Sequence, residues 1–127
     1  MAVIGIGVDA VEIARVDAAL RRTPSLLARL FTERERAVCT SRCGDLKAGG
    51  LAARFAAKEA VAKAFGTGLS GFAFRDIEVL SDPDGRPVVT LHGAAAERAA
   101  ALGARVHVSL STSKDLAVAN AVLEQAP

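Results

Sequence analysis

Hydrophobic and polar positions recur with two different periods along this chain, and the changes of period mark out its elements. Residues 51–66, LAARFAAKEAVAKAFG, join strong helix formers with no interior glycine or proline, and they predict the longest helix. At about 100° per residue, Ala53, Ala56, Ala57, Ala60, Val61 and Ala64 gather on one face. Arg54, Lys58, Glu59 and Lys63 fall on the other, with Phe55 standing among them. Alanines make a thin apolar stripe, so another element can approach this helix closely, and Gly66 suits the position just past its end. Glu59 and Lys63 stand one turn apart in the favourable order for a helical ion pair, and Arg54 and Lys58 form a second neighbouring pair.

The period of two governs the start of the chain. Residues 3–8 predict a strand with Gly5, Gly7 and then Asp9 on one face, and Ile4, Ile6 and Val8 on the other. The face that carries Asp9 is thus cleared of side chains, which marks close approach by a ligand or by other backbone. Gly5-Ile6-Gly7 lacks the third glycine of a dinucleotide fingerprint. Short helices are predicted over 12–20 and over 24–30, the second with Pro24 near its first position. Thr32 and Glu35 fit a capping box for a third. Residues 41–50, with Gly44, Gly49 and Gly50, form the expected mobile loop before the long helix, and 67–71 a glycine-rich connection after it. Residues 75–80 and 86–91 read as a hairpin around Asp82-Pro83-Asp84-Gly85. A small helix over 94–102, closed by Gly103, precedes strands over 104–111 and 116–123. This order predicts a single α+β domain over 1–127, with a largely antiparallel sheet packed on the long helix.

Composition sharpens the picture at three points. The chain is 51% hydrophobic but only 4% aromatic, with no Trp or Tyr, so much of its apolar content is alanine and an isolated monomer is expected to be marginal. Net charge is only +2, yet residues 15–42 hold seven arginines against Asp17, Glu33 and Glu35, a local excess that suits an acidic partner. The scarcity of aromatics and the lack of a recognisable motif speak against nucleic acid. Cys39, Cys43, His92 and His107 do not make an ordinary structural zinc site, and the two thiols read as reduced, in a cytoplasmic protein. No stretch has the length or character of a membrane span or a secretion signal.

Two carboxylates are the chemical candidates. Asp9 at a strand end and Glu59 amid helix cations could hold Mg²⁺ against substrate phosphates, since Mg²⁺ takes one or two carboxylates and keeps waters. The alternative is that Glu59 only pairs with Lys63 and Asp9 only caps a helix starting near Val11. His107 reads as a strand histidine and His92 as incidental, while Ser109 and Ser111 share a strand face able to bond a phosphate.

The segments GIGVDAVEI at 5–13 and RFAAKEAVAKAFGTG at 54–68 together resemble the holo-acyl-carrier-protein synthase class of 4′-phosphopantetheinyl transferases. Phe31-Thr32 with Glu35, a strand over 74–79, Gly85-Arg86-Pro87 and HVSLS at 107–111 extend the likeness over essentially the whole chain. The resemblance implies Mg²⁺-dependent transfer of 4′-phosphopantetheine from coenzyme A to a serine of an apo-acyl carrier protein, with 3′,5′-ADP as the other product. It also implies a homotrimer with active sites between subunits. Carried onto this sequence, it makes Asp9 and Glu59 the metal carboxylates and Lys63 the lysine beside the diphosphate and a proton donor to the leaving phosphate. Arg54, Gly66, Ser111 and Thr112 become further coenzyme A contacts, and Arg15, Arg21 and Arg22 the surface for the acidic carrier protein. The acceptor of the serine proton stays open between Glu59 and a metal-bound water. Many relatives carry histidine where this chain has Thr112, which can donate a hydrogen bond but holds no charge. Weaker phosphate binding is the expected result, and a relative that binds carrier protein or coenzyme A without efficient turnover is the alternative reading.

Overall fold

The structure, a computed structural model, describes residues 1–68 and 71–127; Leu69 and Ser70 of the expected glycine-rich connection lie outside the described residues. Strand β1 (Ala2–Glu12) runs further than its apolar alternation predicts. It pairs antiparallel with β5 (Leu116–Gln125), which supplies ladder partners as far as Glu12 opposite Leu116. Asp9 therefore sits within the strand, not at its end and not at a helix cap. The other edge of β5 takes β4 (Ala104–Thr112), so the order is β1-β5-β4, with Asp9, Ala119 and Leu110 in one row.

Helix α4 (Ala48–Ala64) lies across one face of this sheet, with Ala53, Ala56, Ala57, Ala60 and Ala64 buried. It starts earlier than predicted, because Gly49 and Gly50 form its first turn instead of closing a loop. Gly66 follows its cap at φ +80°, a left-handed conformation that glycine adopts without a Cβ penalty. A Cβ on Gly5 or Gly7 would stand 1.9 Å from the Ala64 carbonyl oxygen or 2.0 Å from that of Ala60. The cleared strand face is therefore filled by helix backbone, not by a ligand.

The remaining elements pack around α4. Helix α1 (Ile13–Arg22) extends through both arginines and stops before Pro24, whose ring disfavours helix at the preceding residue. Helix α2 (Leu26–Leu30) follows, and α3 (Glu33–Val38) opens on the predicted capping box: Thr32 Oγ1 accepts the Glu35 amide at 3.1 Å and Glu35 Oε1 the Thr32 amide at 2.9 Å. The hairpin β2 (Ile77–Ser81) and β3 (Pro87–Leu91) is a sheet of its own, and residues 74–76, expected as strand, form a 3₁₀ turn. Helix α5 (Gly93–Leu102) ends at Gly103, as predicted. Leu20, Phe31, Cys39 and Leu51 fill a second core, against which Val16 of α1, Leu26, Leu27 and Leu30 of α2 and Phe55 of α4 pack.

One buried acid ties α3 to β2. Glu78, 3% exposed, accepts the Thr32 hydroxyl at 2.5 Å and faces His92 Nε2 at 3.2 Å and an Arg34 Nη at 3.6 Å. Burial alone would push its carboxyl up, but the hydroxyl, His92 and Arg34 outweigh burial and hold it below the ordinary 4.5. The unfolded chain thus takes the proton first, so Glu78 stabilises the fold above pH 4.5 and loses that contribution as pH falls through its lowered value. Denaturant unfolding at stepped pH should show wild-type stability falling more steeply below pH 4.5 than that of Glu78→Gln. Parallel acid limbs would contradict this.

Among the described residues, no helix covers the far face of the three-stranded sheet. Ile6 is 72% and Val8 55% exposed there, beside half-buried Val118 and Val122. Among the described residues no helix is long and apolar enough to cross a membrane.

Candidate active site

The predicted polar face of α4 divides into two sides with different partners. Lys63, half exposed, reaches across to β1, where Nζ donates to Asp9 Oδ1 at 3.1 Å and to the Val8 carbonyl at 3.0 Å. The expected Glu59–Lys63 ion pair does not form, because Asp9 on the adjacent strand holds the lysine instead. Glu59 is left facing Asp9 with no hydrogen bond or ion pair of its own among the described residues. Burial and the Asp9 charge hold its carboxyl above the ordinary 4.5, and Lys63 offsets part of that.

Two carboxylates that repel each other at a protein surface could hold a hard cation between them. Among the described residues no three His, Cys, Asp and Glu side chains gather to enclose a metal unaided. A pair of oxygen donors suits Mg²⁺, which keeps waters of its own, and does not suit structural zinc, which takes four protein ligands.

Arg54 faces the hairpin, with Nε donating to the Val79 carbonyl at 2.9 Å and Nη1 to that of Gly50 at 3.2 Å. Gly66 is exposed at the end of α4, beyond Lys63. Ser111 and Thr112 end β4, in the rows of Ala10 and Val11. Strand alternation turns Thr112 towards the α4 side with Leu110, and Ser111 towards the uncovered face with Ser109 and His107. Within one chain, then, Ser111 and the two carboxylates lie on opposite sides of the sheet. His107 stays on that uncovered face, 3.5 Å from Glu124. His92, to which the sequence gives no role, is a partner of buried Glu78.

The three arginines of α1 part company. Arg15 and Arg22, two turns apart, line a groove of about 820 Å³ with Val16, Leu26, Leu30 and Phe55. Arg21 points elsewhere and pairs with Asp17 at 3.1 Å. Cys39 is buried, which pushes its thiol up, and Cys43 is exposed; both are free.

Sequence reasoning missed Lys58. Placed on the solvated side by the helical wheel, it is wholly buried and bonded to Glu35 at 2.8 Å, and burial pushes its ammonium down while Glu35 draws it back up. The signal was present: Leu51, Phe55, Lys58 and Ala62 share one side of the helix, a second apolar stripe interrupted by a lysine.

Comparison with known proteins bears directly on this geometry. Residues 5–120 match the 4′-phosphopantetheinyl transferase superfamily. The chain belongs to that superfamily. It is 45% identical over 123 residues to the holo-[acyl-carrier-protein] synthase of Clostridium novyi, spanning 96% of this chain and 88% of the relative. It is 50% identical over 123 residues to the synthase of Solidesulfovibrio magneticus, spanning 94% and 97%. Among solved structures, the synthase of Bacillus anthracis in complex with CoA (3′,5′-ADP) superposes with a TM-score of 0.79 at 36% identity, covering 98% of each chain. The family likeness drawn from the two long motifs is borne out, and so is the α+β antiparallel fold.

Proposed function

We propose that this transferase moves 4′-phosphopantetheine from coenzyme A to a serine of an apo-acyl carrier protein, giving the holo-carrier protein and 3′,5′-ADP, with Mg²⁺ as the required ion. The observation that carries the reading is the meeting of Asp9, Glu59 and Lys63 where α4 crosses β1, beside a groove that begins at Ala10 and is flanked by Arg15 and Arg22. The names of its relatives and the ligand in the Bacillus anthracis structure support the same chemistry.

In this reaction the serine oxygen bonds to the phosphorus bearing pantetheine, and the bridging oxygen leaves with 3′,5′-ADP. Asp9 and Glu59 would hold Mg²⁺, which supplies positive charge against the diphosphate when bound. Lys63, tethered but half exposed, is placed to give a proton to the leaving phosphate. Glu59, with its carboxyl held above the ordinary value, is the candidate acceptor on this chain for the serine proton. Arg54 and Gly66 remain candidates for the nucleotide phosphates, with Ser111 and Thr112.

We also read the working unit as a homotrimer with sites between subunits, acting in the cytoplasm. The exposed Ile6 and Val8 face supports it, since a second copy would cover it. Ser111 supports it too, because it can reach a carboxylate pair only from a neighbouring chain. A monomer mass by light scattering would remove this part of the reading.

Incubation with coenzyme A, Mg²⁺ and apo-carrier protein, followed by mass spectrometry of the carrier, tests the function. A phosphopantetheine-sized gain is expected, and binding without gain would favour the weakened relative that Thr112 suggests. Arg15→Glu should raise the KM for carrier protein about tenfold or more at low salt and leave that for coenzyme A nearly unchanged. Equal losses for both substrates would contradict the assignment of that groove to the carrier protein.

A further inference from the structure

The helix that carries Glu59 has few apolar knobs to fix its rotation. Against the sheet it buries alanines, and β1 offers it Gly5 and Gly7. Such contacts hold two backbones close, but near-identical methyl groups discriminate weakly between neighbouring rotations. Beyond buried Leu51 and Val61, directional bonds help decide the angle, and on the hairpin side Arg54 makes one, to the Val79 carbonyl, while Lys58 makes three.

The Lys58 ammonium donates to Glu35 Oε1 at 2.8 Å, to the Phe74 carbonyl at 2.9 Å and to the Ile77 carbonyl at 2.6 Å, which uses all of its protons. Glu35 is equally buried. Its Oε1 also accepts the Thr32 amide, and its Oε2 accepts the Val79 amide at 2.9 Å. One side chain of α4 is thereby bonded to the first turn of α3, the 3₁₀ turn and the start of β2. Stability by itself is a poor reason for this arrangement, since apolar replacement of a buried ion pair is often neutral or stabilising.

We infer that Lys58, acting through Glu35, is a positioning residue for Glu59. It sets the rotation of α4 so that the next side chain, about 100° further round, meets Asp9 across the seam with β1. A rotation of about 20° would carry a carboxylate lying roughly 5 Å from the helix axis by about 2 Å, well beyond what a shared cation site tolerates. The inference rests on the reading of Asp9 and Glu59 as the metal carboxylates.

The test is the neutral pair Lys58→Met with Glu35→Gln in the full chain. Folding is checked by circular dichroism and melting, and Mg²⁺ affinity by calorimetry without substrates. Mg²⁺ binding should weaken about 10- to 100-fold. At fixed metal, kcat should fall correspondingly and recover as Mg²⁺ is raised, with the KM for carrier protein unchanged. Should the double variant not fold, Glu35→Gln alone decides, with a loss of several-fold expected in the same parameter. A folded variant with wild-type Mg²⁺ affinity, or one whose loss lies in the KM for carrier protein, overturns the inference. Wild-type protein that neither binds Mg²⁺ nor transfers would instead remove the proposed function, a result seen before any substitution is made.

Discussion

Replacing Glu59 with glutamine is expected to lower phosphopantetheine transfer by about 10³-fold while raising the melting temperature of the metal-free protein. The two effects share one origin. Glu59 is partly buried beside Asp9 and holds no cation of its own, so its ionised form costs the fold free energy. Because its folded value lies above 4.5, stability falls as pH rises from there to that value, and the deficit persists at neutral pH. Glutamine keeps the shape, removes the charge and removes the deficit. It also removes a hard oxygen anion from the cation site, so added Mg²⁺ should raise the wild-type melting temperature and leave the variant unmoved. Asp9→Asn should cripple transfer equally but bring no gain in stability, because Asp9 is already paired with Lys63. A Glu59→Gln protein that transfers normally, or that still gains stability from Mg²⁺, would dismiss the carboxylate pair as the metal site.

Gly7→Ala should cost at least about 3 kcal/mol and lower the melting temperature by roughly 10 °C or more. The added Cβ would lie 2.0 Å from the Ala60 carbonyl oxygen and 3.0 Å from the Ala64 amide nitrogen. Both are helix backbone atoms, so no side-chain rotation can relieve the clash; α4 must lift off β1 or the strand must shift. Either movement separates Asp9 from Glu59, so transfer should fall together with stability. Gly44→Ala makes the contrast, since a Cβ at Gly44 meets nothing within 4 Å. Its φ of +88° still strains alanine, but only by about 1 kcal/mol, as for a residue held in a left-handed turn. Near-equal losses in the two variants would mean that the close approach of α4 to β1 is not what Gly7 serves.

Much of this architecture was legible before any coordinates. The alanine stripe announced a close approach to the helix and the Gly5-Gly7 face one by a ligand or by backbone, and they turn out to be the two sides of one contact. The capping box at Thr32 and the stops at Gly66 and Gly103 are local rules, and they held. The boundaries that slipped depend on partners elsewhere in the chain: β1 continues past Asp9 because β5 continues beside it, and Gly49 and Gly50 turn helical at the start of α4. Lys58 was misplaced for the same reason, since a helical wheel separates polar from apolar residues but does not show that Glu35, Phe74 and Ile77 will wait on the polar side.

The sequence by itself determined most of the elements, the thin alanine stripe and the cleared strand face, and it picked out the two carboxylates and the lysine to which the proposed chemistry is assigned. These follow from side-chain periodicity and from motifs in which residue type and spacing are the whole message. Tertiary structure alone decided the pairings: that Lys63 holds Asp9 and leaves Glu59 without a cation, that Arg21 turns away from Arg15 and Arg22, and that Ser111 faces the opposite side of the sheet. A charge selects its partner by distance through space, and only the packed fold sets that distance.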